Sequence, residues 1–568
     1  MIAARIYSPT PAPPGPGIVP EERWRPARII PLAAGYFLIG LLAAFLLFTR
    51  LGERLLWGDE AETAVLAVNI TKYGLPLNTD GRNTVTLLGP EVDANASHLW
   101  TWSPWLDEYL AAGAFAILGR SALAARLPFA AAGLAAVILL ALLVFFVYRR
   151  HGPALAAMAL LASSELFILE ARQCRYYAIV VLAQIWLLFG VYRVMGGSRR
   201  HAVLHIAAPL LVQFYCNYIT VGGNLLALAA LFAVSRRRPA ITRPLLRSLA
   251  AFFLLACPWL LYARPWKQAE AIAPDLTWQK IFYYVSEIHF HIMPLAIFAI
   301  PVLAVMFGRR ARDGNHGGGT RRAESGKPTA RAGASGGRNR SKPPAPEEDQ
   351  RVRQAWKRFL VFCIPAHLLF LFFAPGPFQR YLTPLIPVLI ILGVFVLTEH
   401  VRRAWLRYPI LGLLCCTNYI QAATAFPVRG VHAASWTLPR MVRGLASPYA
   451  DRSAVVAEYL RKAANPDDTV FVFDPEFPLI FHAALRIIDG RFSGGRLPDP
   501  LPVWIFAESA TGVVPMQPLE LPEYLAPLYE PVRIEVPDSR RGGGVPDPDS
   551  FEYFTAGTRT AFLLYHKK

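Results

Sequence analysis

Apolar residues along this chain gather into long blocks, and the breaks between blocks are short and rich in arginine. The runs lie near Ile29–Phe48, Leu127–Val147, Pro153–Ile168, Tyr176–Met195, His201–Cys216, Tyr218–Val234, Leu245–Tyr262, Ile288–Gly308, Phe359–Phe373, Tyr381–Thr398 and Pro409–Ala425. A bilayer crossing takes ~20 apolar residues, so the pattern predicts a polytopic α-helical membrane protein with about 11 transmembrane helices. Tyr109–Leu118 is about half that length and is expected to lie at the membrane interface instead. Ala61–Ile70 has helical apolar spacing and is expected as an amphipathic helix on the membrane surface.

Composition agrees: 54% of the residues are hydrophobic and the mean hydropathy is +0.34. The net charge of +19 would suggest nucleic acid if it sat on one soluble face. Here the basic residues fall in the breaks: Arg149 and Arg150, Arg193–Arg200, Ser235–Arg247, Arg309–Arg358 and Arg402–Arg407. One orientation, with the N-terminus cytoplasmic, puts all of them inside and satisfies the positive-inside rule; no nucleic acid partner is expected. The Pro-rich arm of residues 1–28 carries no cleavable-signal pattern, so the first span is read as an anchor in an inner or plasma membrane. Six cysteines lie in or beside apolar runs, which leaves neither a disulfide framework nor a CxxC metal motif.

Outside the spans are an outer loop at 49–126, a Gly- and Arg-rich cytoplasmic linker at 309–356 suited to anionic headgroups, and a C-terminal region at 427–568. That last region reads as a soluble, extracytoplasmic α/β domain: a helix over Ser453–Ala464 and strands at Thr469–Phe473 and Thr560–Leu564. Asp474, Glu476, His482 and Asp489 within it have no metal-site spacing and read as solvated loop residues.

Candidate chemistry begins at Trp57-Gly58-Asp59-Glu60-Ala61-Glu62, where two adjacent carboxylates follow the first span. Carboxylates beside a bilayer are costly and commonly serve catalysis, ion binding or an ion pair. The competing explanation is helix capping, because negative charge stabilises a helix N-terminus. Both readings stay open here.

The acidic pair is one of four features in fixed order. The others are Phe115–Ser121 with Ala124-Ala125-Arg126-Leu127-Pro128, the run Glu170-Ala171-Arg172-Gln173-Cys174-Arg175-Tyr176-Tyr177-Ala178, and Gln379-Arg380-Tyr381-Leu382-Thr383-Pro384. Together they resemble the GT-C glycosyltransferases of the protein O-mannosyltransferase and lipid A aminoarabinose-transferase group, over about Ile29–Pro387. The resemblance implies a membrane-embedded inverting glycosyltransferase, moving a sugar from a polyprenyl-phosphate carrier to a protein, lipid or glycan acceptor of the envelope at the outer membrane face.

Under that resemblance Asp59 is the base that takes the proton of the attacking hydroxyl, and Glu60 orients the acceptor. Arg380 and Tyr381 become ligands of the carrier phosphate, joined by Arg175, Tyr177 and, more remotely, Lys267. Glu287, His289 and His291 resemble a donor-headgroup position. Arg175, Tyr176 and Tyr177 stand where many relatives carry a second acid, so chemistry without metal or other cofactor is expected. The remaining alternatives are a polytopic transporter, disfavoured by the lack of paired halves, and a non-catalytic envelope scaffold.

Overall fold

A computed structural model describes residues 26–267, 277–301, 346–374, 376–401, 403–424, 434–447, 452–472, 477–483, 485–490, 497–507, 521, 523–537 and 559–568. The helices are α1 (Pro26–Phe48), α2 (Gly58–Tyr73), α3 (Pro90–Asp93), α4 (Leu106–Leu118), α5 (Ala122–Tyr148), α6 (His151–Ala162), α7 (Glu165–Ala171), α8 (Tyr177–Met195), α9 (Ala202–Cys216), α10 (Tyr218–Ser235), α11 (Pro239–Ala263) and α12 (Trp278–Glu287). A π turn at Ile288–Ile292 follows, then α13 (Pro346–Phe372), a 3₁₀ turn at Gln379–Leu382, α14 (Leu385–His400), α15 (Ala404–Cys416), α16 (Tyr419–Ala423) and α17 (Thr437–Ala446).

Six of these helices, α1, α5, α8, α10, α11 and α13, are long and apolar enough to cross a membrane, and α6 with α7 makes a seventh if that pair, bent by 63°, is one span. The chain is a multi-pass membrane protein. Among the described residues this is fewer than the eleven spans expected. Three of the others, α9, α14 and α15, are apolar but shorter; the 15 residues of α9 extend roughly 22 Å against a hydrocarbon core of about 30 Å. The apolar runs behind them are themselves shorter than a full crossing, and the helices they form have 15, 16 and 13 residues. The expected span at Ile288–Gly308 opens with the π turn, and its residues beyond 301 lie outside the described residues.

Two further expectations are corrected. The linker ends earlier, because α13 begins at Pro346: Glu347-Glu348-Asp349-Gln350-Arg351 and the basic residues after it are strong helix formers and continue the span as one 27-residue helix. Secondly, α2 is not a surface helix. Glu60–Ala67, Asn69 and Ile70 are all buried, because α4 of the same loop and helix α19 (Phe477–His482) of the C-terminal region pack against it. The short helix expected at Tyr109–Leu118 is present as the 13-residue α4.

Within the bundle, Gln184 of α8, Gln213 of α9 and Asn224 of α10 close a buried ring of amide hydrogen bonds of 2.5–3.1 Å. With no water to compete, such bonds fix helix register where apolar side chains alone would slide.

The C-terminal region builds a five-stranded mixed sheet from β1 (Thr469–Val472), β2 (Arg486–Asp489), β3 (Trp504–Phe506), β4 (Tyr529–Pro537) and β5 (Arg559–Lys567), in the order β2-β1-β3-β5-β4. β1 runs parallel to β2 and β3, and β5 runs antiparallel to β3 and β4. Helix α18 (Arg452–Ala463) covers it through Val456, Ala457 and Leu460. The helix and two strands expected from sequence are all present; Asp474 and Glu476 lie outside the described residues.

This sheet is bolted to the outer-loop residues by α19. Leu56 N–H donates to His482 Nε2 at 3.0 Å, Arg120 donates to the carbonyls of Ile480 and Phe481, and Asn83 bonds Leu485 O and Ile487 N. Burial, reinforced by nearby Arg126 and Arg120, pushes His482 down to about 3. The imidazole is therefore neutral at ordinary pH and free to accept.

Candidate functional site

The acidic pair opens α2, and its two members face different surroundings. Glu60 is buried, 1% exposed. Its Oε1 accepts from Arg126 Nε at 2.7 Å and from Cys174 N at 2.8 Å. Its Oε2 accepts from Arg126 Nη2 at 2.6 Å and reaches back to Trp57 N at 3.3 Å. Arg126 spends its remaining N–H groups on the carbonyls of Leu51, Arg54 and Leu55. Every strong acceptor position of the carboxylate is filled by protein. The acceptor-orienting role expected for Glu60 is corrected: it caps α2 and ties the end of α1, α2, α5 and the loop before α8 together.

Asp59, one residue earlier, points elsewhere. Its side chain is 24% exposed, and Oδ2 meets Arg380 Nη1 at 2.8 Å. Arg380 comes from the 3₁₀ turn before α14, 321 residues away in sequence. Its guanidinium also lies 4.4 Å from the Phe378 ring centroid and 5.9 Å from that of Trp57. Tyr381 follows, half-buried, with burial raising its phenol above the ordinary value and Arg380 opposing the rise. Around this pair stand Trp57, whose indole N–H donates to Gln173 Oε1 at 3.2 Å, and Glu170, which accepts from Gln173 Nε2 at 3.0 Å. Tyr177 is fully buried, and among the described residues its hydroxyl has no hydrogen-bond partner. A buried hydroxyl without a partner carries a desolvation cost, which a ligand oxygen would relieve.

Arg175 serves α2 directly. Its Nη1 donates to Asp59 O at 3.1 Å, Glu62 Oε1 at 3.3 Å and Thr63 Oγ1 at 2.8 Å. Arg172 donates to the carbonyls of Leu46 and Thr49 and so caps the end of α1.

The remaining expected residues are not brought to this group. Lys267 is exposed on the turn after α11. Glu287, His289 and His291 belong to α12 and its π turn. There His289 Nε2 donates to Gln421 O at 3.1 Å while its Nδ1 accepts from Leu295 N at 3.2 Å, and His291 lies 3.5 Å from Glu287. His291 lines a separate polar cleft with Ser163, Glu165, Asn418 and Gln421.

Sequence reasoning missed the acids that surround Arg175. Glu62 is 1% exposed, Asp107 2% and Glu108 1%. Burial pushes Glu62 up to about 7 and Asp107 up to about 6, and holds Glu108 well above the carboxylate range. A signal was present: Asp107-Glu108 is a second acidic pair opening a helix in the same outer loop, directly after Trp100, Trp102 and Trp105. Among the described residues no group of three or more His, Cys, Asp and Glu side chains is arranged to hold a metal ion.

No protein-family model matches this chain, and no curated protein matches its sequence. Solved structures do resemble it. The crystal structure of ArnT from Cupriavidus metallidurans in the apo state is 14% identical, with 82% of this chain and 85% of that one covered and a TM-score of 0.48. The same protein bound to undecaprenyl phosphate is 12% identical over 82% and 86%, with a TM-score of 0.49. The cryo-EM structure of the arabinosyltransferase EmbB from Mycobacterium smegmatis is 15% identical over 66% of this chain and 31% of that one, with a TM-score of 0.37. The chain is thus similar in structure, at low identity, to the GT-C superfamily members ArnT and EmbB, a likeness too distant to assign a role to any residue here.

Proposed function

We propose that the protein is an inverting glycosyltransferase that moves a sugar from a polyprenyl-phosphate carrier to an envelope acceptor at the outer membrane face. The observation that carries this reading is the Asp59–Arg380 pair: a partly exposed carboxylate 2.8 Å from a guanidinium, at the end of the bundle where α1 stops and α8 begins. Inverting transfer needs a base on the attacking side and cationic stabilisation of the departing phosphate on the other. Asp59 Oδ1 accepts no hydrogen bond from the described residues and is available to an acceptor hydroxyl. Arg380 keeps Nε and Nη2 for phosphate oxygens while Nη1 holds the base. The Tyr177 and Tyr381 hydroxyls are the neutral donors beside it. The proposed carrier belongs to the class bound in the undecaprenyl-phosphate complex of ArnT. The test uses membranes and a panel of undecaprenyl-phosphate-linked radiolabelled pentoses and hexoses; transfer of none of them by the wild-type protein would remove the reading.

Arg380 gives a sharper test. A guanidinium holds two phosphate oxygens at once and an ammonium does not. Arg380→Lys should lower transfer about 10-fold through a raised KM for carrier-linked sugar, and Arg380→Ala should lower it ~10²-fold or more. Transfer measured against carrier concentration separates this from simple anchoring at the interface, for which Lys would serve as well as Arg.

Metal-independent chemistry remains part of the proposal. The groups that hydrogen-bond Asp59 directly are cationic, Arg380 at its carboxylate and Arg175 at its carbonyl, and a divalent ion would have to displace Arg380 to reach that carboxylate. Transfer should be unchanged by EDTA. Activity lost in EDTA and restored by Mg²⁺ or Mn²⁺ would overturn this.

A further inference from the structure

Asp59 and Glu62 lie three residues apart on α2 and so share a helix face. Arg175 closes over that face, bonding the Asp59 carbonyl, the Glu62 carboxylate and the Thr63 hydroxyl through one nitrogen. The first turn of α2 is thereby pinned to the loop before α8 at the residue that carries the proposed base. Behind Arg175, on α4, are Asp107 and Glu108, two buried carboxyls that burial holds above the ordinary carboxylate range. Among the described residues Asp107 Oδ1 and Glu108 Oε2 have no hydrogen-bond partner. The Trp100 indole donates to Ser103 Oγ at 2.8 Å, and Ser103 donates to Glu108 Oε1 at 3.3 Å.

We propose that Glu62 is a positioning residue for the transfer reaction: through Arg175, which bonds both the Glu62 carboxylate and the Asp59 carbonyl, it fixes the backbone that carries the proposed base. The proposal rests on the assignment of Asp59 as base. The groups facing Glu62 are Arg175 from the loop before α8, Asp59 on its own helix and Asp93 from the outer loop, with Asp107 and Glu108 on the far side of Arg175. Burial raises the Glu62 carboxyl, Arg175 opposes that rise, and Asp59 and Asp93 add to it. Glu62 holds Arg175 as an ion pair only when ionised, so protonation of this carboxyl, pushed up to about 7 by burial, releases the Arg175 contact and adds to the acid limb of the rate. Neutralising Glu62 weakens its hold on Arg175, and removing the side chain frees Arg175 from it altogether. Neither change touches the carrier.

Glu62→Gln keeps an oxygen for Arg175 and removes the charge. It should lower kcat about 10-fold, leave KM for undecaprenyl-phosphate-linked sugar within about 2-fold, and move the acid limb of the pH–rate profile to lower pH. Glu62→Asp keeps the charge and shortens the reach; it should restore the acid limb but not the full rate. A side chain that merely packs α2 would change melting temperature and leave the acid limb in place. A wild-type pH profile and a wild-type kcat for folded Glu62→Gln would overturn the proposal. Asp59→Asn, measured alongside, separates the two assignments. If it is inactive while Glu62→Gln behaves as wild type, only the role of Glu62 falls; if it is active, the base assignment falls first.

Discussion

Asp59→Asn should abolish sugar transfer while the protein stays inserted and folded. Asn has the size of Asp and can still accept from Arg380 Nη1, now as a neutral partner. It cannot take the proton of an attacking hydroxyl. Loss of a positioned base costs ~10² to 10⁴ in rate, and the loss should appear in kcat with carrier binding nearly intact. The 24% exposure of the side chain limits the structural damage, because a partly hydrated ion pair contributes little to stability. Single-turnover transfer in membranes, with thermal unfolding of the purified variant, checks both halves. Near-wild-type turnover would show that the base lies elsewhere.

The neighbouring carboxylate should behave in the opposite way. Glu60→Gln places an amide NH₂ among the N–H groups of Arg126, Cys174 and Trp57, all of which donate. It also leaves a guanidinium buried without its counter-charge. Breaking one partner of such a pair costs about 3–5 kcal/mol, enough to consume much of a typical folding free energy. Glu60→Gln should therefore be recovered in low yield, with a melting temperature well below that of Asp59→Asn, and its loss of activity should follow its loss of fold. Arg126→Ala should do the same, and the double variant should be less destabilised than the sum of the two, since each alone strands the other's charge. A Glu60→Gln protein with wild-type melting temperature and a lowered kcat would return Glu60 to the acceptor side. Adjacent in sequence and alike in chemistry, the two acids are separated only by which way the first turn of α2 points them.

The membrane character, the helical blocks and the α/β pattern of the C-terminal region were legible because they rest on local periodicity, which needs no knowledge of neighbours. Asp59 and Arg380 were legible as candidates, since a carboxylate and an arginine kept at span ends stand out against apolar sequence; that the two side chains pair was not. Run length alone does not fix the number of crossings: among the described residues α9, α14 and α15 are apolar but only 15, 16 and 13 residues long. The linker boundary was misplaced because the Arg bias of residues 346–358 hid a good helix former. α2 was misjudged because its apolar stripe predicts a surface helix whenever nothing is known to cover the other side, and α19, over 400 residues away, covers it.

Sequence by itself determined what each segment can be: a span, an interfacial helix, a strand, a capped helix start. Those outcomes follow from short-range sterics and from the length of apolar surface that water rejects. Tertiary structure alone decided which charges meet. Arg126 rather than solvent neutralises Glu60, Arg380 reaches Asp59 across 321 positions, Arg175 turns from the phosphate ligand expected of it to hold α2, and Glu62, Asp107 and Glu108 become buried acids. The physical reason is that an ion pair's worth depends on desolvation and on distances of a few ångströms, and chain folding sets both.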